Sequence, residues 1–356
     1  MGRPDLEKLA NRERLTAWLD KHVPHLGTKP LDVQWMTGGT SNVVLSINRG
    51  VGDMVLRRPP EVPPPGSERT VLREARVLTA LNETTVPHPY CFAVCDDPSV
   101  IGSPFFVMER VPGWSAQLTD GRLLHPPPFD APPDETAIAY AIVDGLIALA
   151  KVDHRLIGLT DFGKPERFLE RQVDRWVGQL ESYDQLYGYK GRPLPGYQYV
   201  RDWLRANTPA NYPIGILHGD IGTQNALFAH EPPARLNALI DWELSTLGDP
   251  MLDLAWFCSG LRDEREPGRA SSRTLYDIAN FPTRQQLARH YAAGTGRDVS
   301  AFDYYLVLAL FKSGCILEYK VAQAAADILP KETGAFFSNL VLASFAEGER
   351  LARRLG

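Results

Sequence analysis

The chain has 356 residues, of which 44% are hydrophobic and 23% charged, with a formal net charge of −5 and four cysteines. That length suits two domains or one bilobal unit with a large core, and the mild acidity argues against a broad nucleic-acid-binding face. Cys91 and Cys95 form a C-x-x-x-C pair with no second pair or nearby His cluster to complete a zinc site, so Cys91, Cys95, Cys258 and Cys315 read as reduced, buried thiols.

The first residues, Met1 to Lys8, lack the apolar centre of a signal peptide, and no apolar run is long enough to cross a bilayer. A soluble cytoplasmic protein is expected. Leu6, Leu9, Leu15, Trp18, Leu19 and His22 recur at mostly helical spacing and predict an opening helix or helix pair. From about Leu31 the texture turns strand-like, with Val33 to Met36, Val43 to Ile47 and Asp53 to Arg57 as short β-rich runs between turn residues. Arg69 to Leu81 places Val71, Leu72, Ala75, Leu78 and Leu81 on one helical face. Cys91 to Cys95 and Phe105 to Arg110 are two further strands. Five short strands with one helix after the third predict a small α+β lobe.

The remainder reads as mostly helical: Glu135 to Lys151, Phe168 to Leu180, Gly196 to Arg205, Pro250 to Leu261, Arg284 to Ala292, Ala301 to Lys320 and Phe336 to Leu355. Only Ile214 to Leu217, Ala226 to Ala229 and Leu236 to Ile240 break the pattern as strands. The prolines of Pro59 to Pro65 and His125 to Pro128 read as rigid surface connections, and Arg262 to Arg269 as a solvated mixed-charge loop. The expected organisation is a helical segment over 1–30, a small β-rich N-lobe over 31–111 and a large helical C-lobe over 112–356.

The three short strands of the C-lobe flank His218-Gly219-Asp220-Ile221-Gly222-Thr223-Gln224-Asn225 and Ile240-Asp241-Trp242-Glu243. An Asp, an Asn five residues later and a second Asp after a strand are what phosphoryl transfer requires of a protein. The first carboxylate faces an acceptor hydroxyl, and the Asn amide oxygen and second carboxylate offer hard ligands to Mg²⁺ beneath a nucleoside triphosphate. Asp220 is therefore the candidate catalytic residue, with Asn225 and Asp241 as metal ligands. Glu243 is either a further metal ligand or a structural acceptor, and His218 is read as a brace for the loop.

The phosphate clamp is expected in the N-lobe. Thr37-Gly38-Gly39-Thr40-Ser41-Asn42 joins two strands, and its glycines let backbone N–H groups approach phosphates, so Gly38, Gly39, Thr40, Ser41 and Asn42 are candidate contacts. Val55-Leu56-Arg57-Arg58 ends a strand, and Glu74 lies in the following helix; a strand cation aligned by a helix Glu holds phosphates in this architecture. Arg57 is preferred as that cation, with Arg58 as competitor because neighbouring strand residues face opposite ways. The strand ending in Glu109-Arg110-Val111-Pro112-Gly113 runs into a Pro-Gly break, a natural hinge at which the Glu109 and Val111 backbones face an adenine edge.

From about Leu31 to the C-terminus the chain resembles the aminoglycoside phosphotransferase/choline kinase-type branch of the protein-kinase-like superfamily. Within it the chain is similar to the kinase-like domain found beside acyl-CoA dehydrogenase modules and to its free-standing bacterial relatives. The closer resemblance is carried by Met36 to Asn42, Val55 to Arg58, Ile101 to Glu109, Val152-Asp153, Gly158-Leu159, Asp161 to Pro165, Leu169 to Val173 and Asp241 to Pro250. It implies a bilobal kinase-like fold, ATP or another nucleoside triphosphate with Mg²⁺, Asp220 as the catalytic Asp, and Asn225 and Asp241 as magnesium ligands. Asp161-Phe162-Gly163 spells a protein-kinase metal motif but precedes the catalytic loop, whereas the metal Asp must follow it. Two positions depart from the relatives' pattern: Ala150 stands where they carry His, and Gln224 where they often carry Asp.

Gly248-Asp249-Pro250 and a helix follow Asp241 within ten residues, leaving no long segment to dock a polypeptide; this favours a small-molecule acceptor. Asp249 is expected to cap that helix and Asp253 to brace the catalytic loop. Arg171 and Arg175, four apart on one helix face, and Lys312 are candidate substrate contacts for an anionic acceptor. The resemblance implies hydroxyacyl-CoA thioesters, especially 4-hydroxyacyl-CoA. An aminoglycoside kinase and a nucleotide-binding pseudokinase without turnover are the alternatives.

Overall fold

The computed structural model describes residues 5–36, 42–119, 122–267 and 280–356. In chain order its elements are α1 (Leu6–Ala10), α2 (Arg12–His22), β1 (Asp32–Trp35), β2 (Val43–Asn48), β3 (Asp53–Arg58), α3 (Ser67–Leu81), β4 (Cys91–Cys95), β5 (Phe105–Glu109), β6 (Gln117–Thr119) and β7 (Arg122–Leu124). There follow α4 (Asp134–Ala150), α5 (Glu170–Tyr187), α6 (Tyr197–Ala206), β8 (Gly215–Leu217), β9 (Ala226–Phe228), β10 (Leu236–Leu239), β11 (Thr246–Gly248), α7 (Met251–Cys258), α8 (Arg284–Thr295), α9 (Phe302–Ala325) and α10 (Lys331–Leu355). No helix among the described residues is long and apolar enough to cross a membrane.

The first five strands form one antiparallel sheet in the order β1-β2-β3-β5-β4. Side chains alternate across it. Val43, Leu45, Ile47, Met54, Leu56, Phe105 and Val107 bury one face against Leu9, Ala10, Leu15 and Leu19 of the two opening helices. Phe106 faces the other way and packs in the larger cluster with Val71, Ala75 and Leu78 of α3. The opening helix is thus a pair, broken at Asn11, whose side chain caps α2 by accepting from the Arg14 N–H at 3.0 Å.

The helical lobe is organised on α9, which is buried over most of its length and packs against α5, α7 and α10. α5 outruns the expected stop at Leu180 and ends at Gly188, whose left-handed conformation (φ 64) closes the helix. Two elements went unread in the sequence: the β6–β7 hairpin, and β11, which pairs antiparallel with β8 just ahead of the Asp220 loop. The chain passes between the lobes at Gly113. A side chain there would meet the Phe228 carbonyl at 2.7 Å, because Trp114 and Phe228 bond each other's backbones at 2.9 and 2.8 Å.

Phe311 on α9 is fully buried between Tyr197 and Phe345, at ring separations of 5.5 and 6.0 Å. Phe311→Ala should destabilise the fold by about 3–5 kcal/mol, read as a lower urea midpoint.

Candidate active site

β3 delivers Arg57 and Arg58 to opposite faces of the sheet, and only Arg57 turns toward α3. Its guanidinium reaches Glu74 at 2.9 Å, Asp241 at 2.6 Å and Glu243 at 3.3 Å. Arg58 instead donates to the carbonyls of Leu9, Ile101 and Pro59 and ties α1 to the sheet. Burial opposes the Arg57 charge, but the three carboxylates outweigh it and raise its pKa. Burial pushes the Glu74 carboxyl up to about 8, against the pull of Arg57. Glu74 also accepts the Trp242 N–H at 3.2 Å, and Asn42 donates to Glu243 at 3.1 Å. Of the glycine-rich turn only Asn42 belongs to the described residues; Thr37, Gly38, Gly39, Thr40 and Ser41 lie outside them.

Asp241 adopts a left-handed backbone (φ 67, ψ 62), an uncommon conformation for a residue other than glycine. Trp242, fully buried, locks the turn: its indole N–H donates to the Leu239 carbonyl at 2.8 Å and its ring lies 4.6 Å from that of His218. Just upstream, the Ile240 N–H donates to the Asn225 carbonyl at 2.9 Å, which sets the Asp241 turn beside the Asp220 loop.

That loop is held from beneath. Asp253, buried on α7, accepts the N–H groups of His218 and Gly219 at 2.6 and 3.0 Å. The His218 Nε2 bonds the Ile240 carbonyl at 2.9 Å and its Nδ1 faces the Asp220 N–H at 3.4 Å, so the ring carries its proton on Nε2. Burial lowers the His218 pKa and keeps the ring neutral. This is the bracing role expected for both residues. Gly219 has φ +94, and a side chain there would meet the Leu244 carbonyl at 2.6 Å, so glycine is required at that step.

Asp220 emerges half-buried. Its Oδ2 accepts from the Asn225 amide at 3.0 Å, and the same amide nitrogen bonds the Asp220 carbonyl at 2.9 Å. The amide nitrogen being spent there, the Asn225 oxygen is the atom left without a hydrogen bond among the described residues. One amide oxygen and the part-exposed Asp241 carboxylate are too few ligands for a cation cage, and no cluster of three or more His, Cys, Asp or Glu exists among the described residues. The pair does fit Mg²⁺ that arrives with phosphate oxygens and keeps some of its water.

At the hinge, the Glu109 N–H is already given to the Tyr90 carbonyl at 2.8 Å, whereas Val111 has no hydrogen-bond partner among the described residues. Asp161 lies elsewhere, paired with Arg76 of α3, and Phe162 sits beneath Arg73 at 4.0 Å. Asp249 does cap α7, accepting the Met251 N–H at 2.9 Å.

A cavity of about 300 Å³ lies between α5, α9 and the loop, walled by Phe168, Trp176, Tyr183, Ile316 and Tyr319, with Arg175 and Lys312 as its cations and Gly219 at its edge. Among the described residues, no Asp or Glu lines it. Arg171, one turn earlier on α5, is not brought to this cavity: it bonds the carbonyls of Lys164, Glu166 and Arg167 instead. Trp176 and Tyr183 were missed as cavity residues because their helical spacing is indistinguishable from core packing.

This arrangement defines the protein-kinase-like phosphotransferase fold. A family model for the phosphotransferase enzyme family matches residues 32–290, and the chain belongs to that family. It is similar to a solved Ralstonia eutropha protein provisionally assigned as an aminoglycoside phosphotransferase, at 28% identity and a TM-score of 0.80 over 96% of this chain and 98% of that one. It shares its fold with choline kinase of Cryptosporidium parvum, at 12% identity and a TM-score of 0.63 over 96% of each chain. Acyl-CoA dehydrogenase family member 11 of Homo sapiens is 28% identical over 96% of this chain, which spans only 43% of that protein's length.

Asp253→Asn keeps one acceptor but turns an N–H toward the second backbone donor. It should cost about 1–3 kcal/mol in urea unfolding, while Asp202→Asn at an exposed pair stays within about 0.5 kcal/mol.

Proposed function

We propose that the protein is an ATP- and Mg²⁺-dependent kinase that phosphorylates a hydroxyl of a small molecule, and that its acceptor is a hydroxyacyl-CoA. The observation that carries the reading is the joining of Arg57, Glu74 and Asp241 across the two lobes beside the Asp220–Asn225 loop. In this reading residues 31–111 clamp the nucleotide, 112–356 carry the loop and the acceptor pocket, and 1–30 back the small lobe.

Asp220 orients the acceptor hydroxyl and takes up its proton as the oxygen bonds to the γ-phosphorus, while the bond from that phosphorus to the bridging oxygen breaks and the nucleoside diphosphate leaves. Its Oδ1, without a hydrogen bond from any described residue, faces the acceptor, while Asn225 fixes Oδ2. Arg57 exchanges its contact with Asp241 for phosphate oxygens and stays aligned by Glu74. Asn225 and Asp241 hold Mg²⁺, which neutralises charge on the phosphates when bound. Gly38, Gly39, Thr40, Ser41 and Asn42 cover the phosphates, and Val111, with the carbonyl of Glu109, meets the adenine edge. A cytoplasmic location is consistent with ATP as donor.

The acceptor class is supported by the cavity. Two cations and no carboxylate suit an anionic or carbonyl-bearing acceptor, and aromatic walls suit an acyl chain. An aminoglycoside is a polycation and would meet Arg175 and Lys312 with no lining carboxylate to offset them. Similarity to proteins named as acyl-CoA dehydrogenases points the same way. A pseudokinase is disfavoured because Asp220, Asn225 and Asp241 are all intact.

The test is ATP consumption, with ³¹P NMR of the product, across hydroxyacyl-CoAs, aminoglycosides, choline-like alcohols and sugars. Turnover confined to hydroxyacyl-CoAs is expected; turnover on kanamycin-like compounds alone would reverse the acceptor assignment. Asp220→Ala should lower kcat by about 10²–10⁴-fold with nucleotide binding retained, and wild-type-like turnover in that variant would sink the role given to Asp220.

A further inference from the structure

Lys312 occupies a position on α9 where an apolar residue would be expected. It is 7% exposed, and its neighbours on the helix, Leu308 to Phe311 and Cys315, are fully buried. Its ammonium has one hydrogen bond, to the Gly219 carbonyl at 2.9 Å. It also lies 4.1 Å from the Trp256 ring and 5.5 Å from that of Trp176, contacts that favour a cation. Three charged groups bear on it: Asp220 from the loop, Asp253 from α7 and Arg175 from α5. Burial brings its pKa down to about 8, against the pull of the two carboxylates.

An ammonium has three donors, and a buried one is costly unless its hydrogen-bonding capacity is used. Only one donor of Lys312 is taken by a described residue, and the side chain lines the cavity at the end where Gly219 precedes Asp220. The loop is already fixed at its N–H groups by Asp253, so the bond to the Gly219 carbonyl completes the peptide that aims Asp220. Lys312 lines a cavity of about 300 Å³, room enough for a small acceptor beside its ammonium.

We propose that Lys312 is a positioning and selecting residue. It holds the carbonyl next to Asp220 and offers its remaining donors to an electron-rich oxygen of the acceptor, so that hydroxyl compounds carrying a carbonyl or carboxylate oxygen turn over in preference to those without one. The proposal rests on the reading of the protein as a small-molecule kinase and adds the chemical feature by which the acceptor is chosen. The same group disfavours a cationic acceptor, since Arg175 is the second charge in the cavity and no carboxylate is among its described lining residues.

The test compares a 4-hydroxyacyl-CoA thioester with its thioether analogue, which lacks the carbonyl oxygen, in the wild type, Lys312→Met and Lys312→Arg. The wild type should favour the thioester by about tenfold or more, the worth of a hydrogen bond to a charged group. Lys312→Met should raise KM for the thioester and lose that preference while binding nucleotide normally, and Lys312→Arg should restore part of it. In the wild type kcat/KM for the thioester should fall as pH rises through about 8 and Lys312 loses its proton. Lys312→Arg should lack that limb, because a guanidinium stays charged. Unchanged preference and an unchanged pH profile in Lys312→Met would overturn the proposal. Should Lys312→Met fail to fold, a wild type that treats the two analogues alike, or a Lys312→Arg profile that keeps the limb, overturns it equally. A wild type that consumes no ATP with any acceptor would instead remove the kinase reading, and the role of Lys312 with it.

Discussion

Arg57 gathers three carboxylates from two distant parts of the chain: Glu74 from α3, and Asp241 and Glu243 from the turn after β10. Much of the structure follows from that contact. Strand parity on β3 must put Arg57, not Arg58, on the α3 face; α3 must lie close enough for Glu74 to be buried; and the Asp241 turn must accept a left-handed backbone. Removing one member of such a buried set costs about 3–5 kcal/mol, because the rest are left as uncompensated charges. With Glu74 raised by burial toward its neutral form, Asp241 and Glu243 still outnumber Arg57 in this contact and leave an excess of negative charge there. That excess is what a metal-bound polyphosphate would meet in the proposed reading: the metal answers the carboxylates, and Arg57 becomes available to the phosphate oxygens.

The Asp220 loop depends on a different kind of support. Its backbone, more than its side chains, is what the helical lobe holds. Asp253 takes two successive N–H groups, Lys312 takes the Gly219 carbonyl, and the neutral His218 ring spans from the Ile240 carbonyl to the Asp220 N–H. Side chains from separate parts of the lobe therefore converge on three successive peptide units. The tight path between Gly219 and the Leu244 carbonyl explains why the loop carries glycine immediately before its Asp. Asp220 itself is left with little to hold it beyond Asn225, which suits a group whose free oxygen is to meet an acceptor.

Period-two and period-3.6 patterns made the five-stranded sheet, α3 and the long C-lobe helices legible in the sequence, because their apolar residues recur at strand or helical spacing. Parity said only that Arg57 and Arg58 face opposite ways; which of them meets Glu74 is seen in the structure. Chain order discounted Asp161 in the sequence, and in the structure it pairs with Arg76 of α3. What was not legible arises from pairing between remote segments. β11 is three residues long and becomes a strand only because β8 lies beside it, and β6–β7 is exposed and carries almost no pattern. Arg171 and Arg175 share a helix face in sequence, yet one turn of helix separates a residue that closes the 164–167 turn from one that lines the cavity. The cavity itself is the absence of side chains between α5 and α9, and a periodic pattern records only their presence.

Charge is segregated about Asp220. On the side of the lobe interface lie Glu74, Asp241 and Glu243 around Arg57; on the side of the cavity lie Arg175 and Lys312, with aromatic walls and no carboxylate among the described lining residues. Asp220 acts on both fields, since it and Asp241 bear on His218 from one side while it faces Lys312 on the other. The cation behind this carboxylate gives its hydrogen bond to the Gly219 carbonyl, which leaves Asp220 without a direct pair to it. In the proposed reaction this arrangement gives the two substrates separate entrances by charge: a metal-bearing nucleotide toward the acidic side and an acceptor rich in oxygen toward the basic side. The polarity of the site, and not its volume, is then what distinguishes this chain from a kinase built for polycationic acceptors, because a pocket of the same size lined with carboxylates would admit the opposite class.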